Sequence, residues 1–310
     1  MFSHVDTRNP GAVLDVCESA WRIIGGNHPP PVLGRVFAWV QRAFAGHHPD
    51  FEPLDTRYHD FEHTLQGTVC LAQLLLGWHH APGQPPLPDR ALLLGFVAVL
   101  LHDTGYLKPR GDRVGTGAKF TPVHVRRSAD LAARVLRAEC LPEPDIAAAQ
   151  LMILCTAFDA RVAGLPFKNA LDRRIGCALA SADLLGQMAA PDYVDKLPAL
   201  HAEFAEVSPD DPAPHPAVSF PTAADLIRNT PAFWTSYALP RLETEYEGVY
   251  RFLNDPWPSG PNPYLLGVEA NLQRIRNLLP VTPAPAPARP PDRSRPPSGA
   301  IPRSHAKESR

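Results

Sequence analysis

Apolar residues recur at spacings of three and four along most of this chain, between turns rich in proline and glycine, a pattern that predicts amphipathic helices. The stretches "PGAVLDVCESAWRIIGG" (10–26) and "PVLGRVFAWVQRAFAG" (31–46) each open at proline and close at glycine. In "TLQGTVCLAQLLLGW" (64–78), Leu65, Val69, Ala72 and Leu76 fall on one helical face. The same periodicity predicts helices over 87–103, 121–140, 143–157, 169–190, 192–207 and 265–279. Period-two alternation bounded by turn residues is absent, and no internal repeat stands out. The expectation is an all-α chain.

Two segments break the pattern. Residues 208–221 hold several prolines and acids and read as a surface loop inside the domain. From Pro280 onward the chain is rich in proline, arginine and serine, with almost no large apolar residue, so 281–310 is expected to be a disordered tail. The tail carries six lysines and arginines against two acids, a local charge of +4 that leaves −6 of the total −2 on the body.

Composition excludes several function classes. At 45% hydrophobic and 20% charged residues over 310 positions, the chain is globular. A net charge of −2 gives no electrostatic case for nucleic acid or an anionic membrane. Five scattered cysteines without a C-x-x-C pair argue against a disulfide framework or zinc-thiolate site and suit reduced thiols in the cytoplasm. The N-terminus lacks a basic head followed by an apolar run, so no signal peptide is expected. The longest apolar run, "ALLLGFVAVLL" (91–101), is too short to span a bilayer and predicts a buried helix.

Three places suggest chemistry. In "YHDFEHTLQG" (58–67), His59 and His63 stand four apart, the spacing of one helical face, with Asp60 and Glu62 between them. Read as H-x-x-E-H, the segment matches an inverted zinc-protease motif, which would need Glu62 as base and a later acid such as Glu139 or Glu143 as third ligand. The most apolar helix runs into His102-Asp103, ionisable groups that must be capped, paired or bound to something. In "LASADLLGQM" (179–188), Asp183 interrupts an apolar stretch and needs a cation or a partner such as Arg173 or Arg174.

Taken in order, "YHDFEHT", "HDTGY", "TPVHV" and "ADLLGQM" resemble the corresponding elements of the HD-domain superfamily of metal-dependent phosphohydrolases. The nearer resemblance is to bacterial stand-alone HD proteins, and the first element is similar to that of cyclic-nucleotide phosphodiesterases. The motifs cover about residues 55–205. The resemblance implies an HD-domain-like irregular helical bundle over 51–280, with residues 1–50 as a helical cap packed on it.

It also implies roles. His63, His102, Asp103 and Asp183 would hold a divalent ion, with Asp103 bridging to a second. His124 would contact that second metal or the substrate phosphate. His59 would be the general acid, and Glu62 an acid that orients a histidine or a bound water. Asp60, Arg126, Arg127 and Lys168 are further candidates, the three cations for phosphate oxygens. One or two ions of Mn, Fe, Zn or Mg suit the mixed donors. The implied activity is hydrolysis of a small phosphate ester, a phosphodiester or nucleotide, by metal-bound hydroxide. A non-catalytic metal- or nucleotide-binding HD module, an HD-fold diiron oxygenase and the protease stand as alternatives. Three departures from the phosphodiesterase pattern are Asp60 in place of asparagine, Tyr106 and Lys108 where a further histidine follows HD, and a substrate-clamping glutamine represented only by Gln187 or Gln273.

Overall fold

A computed structural model describes residues 5–207 and 220–278. The expected tail and most of the expected 208–221 loop lie outside the described residues. The helices are α1 (Pro10–Gly25), α2 (Pro31–Phe44), α3 (Phe61–His80), α4 (Asp89–Leu101) and α5 (His124–Ala138), followed by α6 (Glu143–Leu154), α7 (Ala170–Met188), α8 (Tyr193–Ala205), α9 (Ala223–Phe233) and α10 (Pro263–Leu278). Among the described residues the only β pairing is an isolated bridge between Phe51 and Pro109. The protein is an all-α helical bundle. Among the described residues no helix is long and apolar enough to cross a membrane.

Side-chain caps explain where several helices begin. Asn9, Asp60, Asn169 and Thr222 each accept a bond from a backbone amide of the first turn of α1, α3, α7 and α9. The apolar run 91–101 becomes α4, buried on nearly every side. Helix α3 is likewise buried from His63 to Trp78 and lies against α1, α4, α7 and the turn at Val249–Leu253. Helix α2 packs on α4, so both N-terminal helices rest directly on the central pair.

The contact of α3 with α7 is close because small residues face each other there. A Cβ added at Gly186 would lie 3.0 Å from Gln66 C and O and from Gly67 Cα, tighter than ordinary contact. This crossing brings His63, one turn before Gly67, beside Asp183, one turn before Gly186.

Two local structures differ from the sequence expectation. His59 does not share the helix of His63: α3 starts at Phe61, and His59 lies in the preceding turn. The reason is Asp60, whose carboxylate accepts from the His63 amide at 2.8 Å and starts the helix after His59. Residues 222–253, where no helix was expected, hold α9, two π-helical turns (Trp234–Ala238 and Arg241–Glu245) and a 3-10 helix at Val249–Leu253. Pro231 and Pro240 each remove a backbone donor in this segment. The surrounding ladder widens instead of ending, as the Leu239 amide bonding to Trp234 O shows.

Candidate functional site

Three helices deliver the central cluster. His63 comes from the first turns of α3, His102 caps α4 and is followed by Asp103, and Asp183 comes from the middle of α7. His63 Nε2 lies 3.1 Å from Asp103 Oδ2 and 3.2 Å from Asp183 Oδ1. His102 Nε2 lies 3.3 and 3.6 Å from the same two oxygens. Donor atoms about 2.1 Å from a shared ion stand about 3.0–3.4 Å apart in octahedral or tetrahedral sites; three of the four distances fall in that range, and His102 to Asp183 lies just beyond it.

Two further observations bear on the fit. His63, His102 and Asp103 are all buried and can offer donor atoms within 4.8 Å of one another. His102 Nε2 and Asp103 Oδ2 are buried and make no hydrogen bond, a costly arrangement unless something else engages them. The His102 ring is oriented for ligation. Its Nδ1 donates to Val99 O at 2.6 Å, because a carbonyl only accepts, and Nε2 therefore faces the carboxylates.

Electrostatics follow from this crowding. Burial pushes His63 down, but the carboxylates of Asp103 and Asp183 outweigh it and hold the imidazole up to about 10. Burial raises Asp103 and Asp183, yet the adjacent histidines leave both carboxyls below the ordinary range. A positive charge is thus favoured at the centre of the cluster, whether a proton or a cation supplies it.

His124 opens α5 and approaches from the other side of Asp103, with Nε2 3.8 Å from Oδ1. Its Nδ1 donates to Thr121 O at 2.6 Å, and burial pushes the ring down to about 4, so Nε2 keeps a lone pair. Gly105 permits this approach: a Cβ there would sit 2.0 Å from His124 O. The rings of His59 and His124 both stack on Tyr106, at 4.7 and 4.4 Å.

His59 is held by a residue that sequence reasoning missed. Glu203 of α8 is buried, and its Oε2 lies 2.6 Å from His59 Nδ1 while Oε1 accepts from the Tyr58 amide at 2.5 Å. Burial raises the Glu203 carboxyl, but the His59 contact and the backbone donors bring it below its ordinary value. The one sequence signal was an acid within a turn of Leu200 and beside Phe204 in α8.

The remaining candidates divide. Asp60 caps α3 and pairs with Lys196 at 3.2 Å. Glu62 does not orient a histidine; it accepts from Thr7 and Arg8 and pairs with Lys196, outside the cluster. Glu139 and Glu143 pair with Arg35 and Arg137, so the acids an inverted protease motif would need are engaged elsewhere. Arg127 is also structural: it donates to Gly105 O and Leu107 O and stacks on Phe120. Lys168 is exposed and does not line the site cavity, whereas Arg126 does. Arg173 and Arg174 pair with Glu247 rather than Asp183. Gln187 donates to Asp183 Oδ1 at 3.1 Å and accepts from Tyr58 Oη at 2.6 Å, which fixes the carboxylate. Gln273 bonds Asn277 on the exposed face of α10.

A cavity of about 600 Å³ opens from the cluster, lined by His59, His63, Asp103, His124 and Asp183 and by residues of α8, α9 and the first π-helical turn.

The Npun_R2479-like family model matches residues 36–247, more than half of the chain, and the chain belongs to this family. The matched span contains every residue of the cluster together with His59, His124 and Glu203. No curated protein and no solved structure matches the chain.

Proposed function

We propose that this member of the Npun_R2479-like family is an HD-type, metal-dependent phosphohydrolase acting on a small phosphate ester, a phosphodiester or nucleotide. The observation that carries the reading is the set of His63, His102, Asp103 and Asp183, whose nitrogens and oxygens face one another at 3.1–3.6 Å with two of them unsatisfied.

A divalent cation held there would polarise phosphoryl oxygens and lower the pKa of water toward neutrality. Mn, Fe, Zn or Mg suits two imidazoles and two carboxylates. His63 and His102 through Nε2, with Asp103 and Asp183, would hold the cation, and His124, whose Nε2 lies 3.8 Å from Asp103 Oδ1, would help to hold a second. Gln187 keeps Asp183 turned inward.

Hydrolysis places a water oxygen on phosphorus and breaks the bond to the ester oxygen, which must take up a proton. His59 is the group that supplies it, from Nε2, because Glu203 engages Nδ1. Arg126 neutralises the remaining phosphoryl charge from the cavity edge. Five free cysteines, four of them buried, accord with a reducing cytoplasm.

The test pairs two variants. Purified protein should carry stoichiometric metal and hydrolyse generic phosphodiesters. His59→Ala should lose turnover by about 100-fold or more while keeping its metal, and Asp183→Ala should lose the metal. Stoichiometric metal with no hydrolysis of any ester, in wild type as well as variants, would leave a non-catalytic HD module as the reading.

A further inference from the structure

The cavity beyond the ligand cluster has a chemistry that narrows what can occupy it. Among the described lining residues, Arg126 is the only lysine or arginine. It has no ion-pair or hydrogen-bond partner among the described residues, and the lining also includes the carboxylate of Asp159. One guanidinium matches one phosphoryl anion; a polyphosphate would bring further anionic groups for which the described lining offers no second lysine or arginine, only Asp159.

The polar groups of the lining are mostly engaged. The Gln187 amide is held by Asp183 and Tyr58. The Thr156 hydroxyl, in the turn after α6, donates to Ile153 O, and that of Thr230 donates to Leu226 O within α9. Few donors remain to read the edge of a polar ring, and strong discrimination by hydrogen bonds needs such donors.

Much of the rest of the wall is carbon, beside Asn229, whose amide donates to Asp225 O, and the Tyr106 hydroxyl. Phe158, Tyr237 and Phe233 stack in a column, with centroids 4.4 Å apart at 7° and 5.0 Å apart at 24°. The Tyr237 hydroxyl donates to Phe158 O at 2.5 Å and locks the column. The widened π-helical turn at Trp234–Ala238 carries Tyr237 to this position. Leu197, Leu200 and Leu226 also line the cavity, from α8 and α9.

We propose that the cavity binds a bulky, uncharged, predominantly apolar ester group attached to a single anionic phosphoryl group, and that nucleoside polyphosphates are not its ligands. This rests on the phosphohydrolase reading for the position of the phosphoryl group, and on the cavity walls for the rest. Burying as little as ~60 Å² of apolar surface gives about a tenfold gain in affinity, so the effect is measurable.

The experiment uses the full chain loaded with Mn²⁺ and non-hydrolysable probes in calorimetry. Methylphosphonate sets the baseline; 1-naphthylphosphonate and decylphosphonate supply a ring or a chain, and whichever gains more identifies the apolar group. At least a tenfold tighter Kd for one of them than for methylphosphonate is expected. Phe233→Ala should cut that ratio threefold or more, and Leu200→Ala, on another helix, does the same service if the first variant does not fold. A ratio below two, or a ratio untouched by both variants, overturns the proposal. Faster turnover of ATP than of methyl 1-naphthyl phosphate overturns it as well. A tenfold ratio without turnover of any ester supports the cavity assignment and removes the hydrolase reading. Ester turnover with a ratio near one does the reverse.

Discussion

Replacing Gly186 by alanine tests whether the crossing of α3 and α7 sets the spacing of the ligands. The new Cβ would lie 3.0 Å from three backbone atoms of Gln66 and Gly67, where ordinary contact begins at 3.4 Å. Backbone cannot rotate away as a flexible side chain can, so the helices must separate locally by about 0.4 Å. Overpacking of this kind costs about 1–3 kcal/mol, and alanine's helix propensity returns about 1 kcal/mol, so the fold should survive with a loss of about 0–2 kcal/mol.

The ligands have less latitude. His63 and Asp183 each sit within a turn of the crossing, and His63 Nε2 to Asp183 Oδ1 is 3.2 Å. Opening by about 0.4 Å takes that pair beyond the ~3.4 Å edge of a tetrahedral site with ordinary bond lengths. His102 and Asp183 cannot follow freely, because Val99 O and Gln187 hold them. Metal affinity should therefore fall about ten- to hundredfold, the size of effect that misplaced ligand supports produce. Competition of Zn²⁺ against a chromophoric chelator measures this, with thermal melts of chelator-treated protein as the fold control. Gly34→Ala on α2 is the matched comparison, since a Cβ there meets nothing within 4 Å. It should gain about 1 kcal/mol and bind metal as wild type does. A Gly186→Ala protein with a melting shift but a Kd within twofold of wild type would refute the reasoning.

Two further outcomes are expected. Glu203→Gln should keep its metal and lower kcat about 100-fold on an alkyl ester, but much less on a p-nitrophenyl ester, whose leaving group needs no proton; equal losses on both would remove Glu203 from proton delivery. In chelator-treated protein His63 is held up to about 10, above its ordinary 6.5, so between pH 7 and 9 an entering cation must displace at least one proton. Affinity should rise about tenfold per pH unit over that range, and calorimetry in buffers of different ionisation enthalpy should detect the proton. By the same linkage, the stability His63 contributes to the stripped protein is complete below about 6.5 and lost as pH rises through about 10. Metal uptake without proton release would contradict both.

What the chain alone made legible was local. The three-to-four periodicity marks most of the helices, because a helix that packs on a core must repeat its apolar face. His102-Asp103 and Asp183 stood out because ionisable groups in apolar helices need compensation, His63 stood out by its spacing from His59, and the structure brings the four together. Glu203 was not legible: its meaning lies in a contact with His59 across 144 positions, which no local pattern records. Glu62, Arg127 and Lys168 look in sequence like site residues, and only packing shows that the first two are engaged elsewhere and the third is exposed. The helices of 222–253 were hidden by Pro231 and Pro240, which argue locally against a helix that neighbouring elements stabilise. The cavity and its apolar walls belong entirely to tertiary structure, because they are surfaces shared by helices far apart in the chain. Sequence determined which groups had to find a partner; the crossing of α3 with α7 and the placement of α8 decided which partners they found.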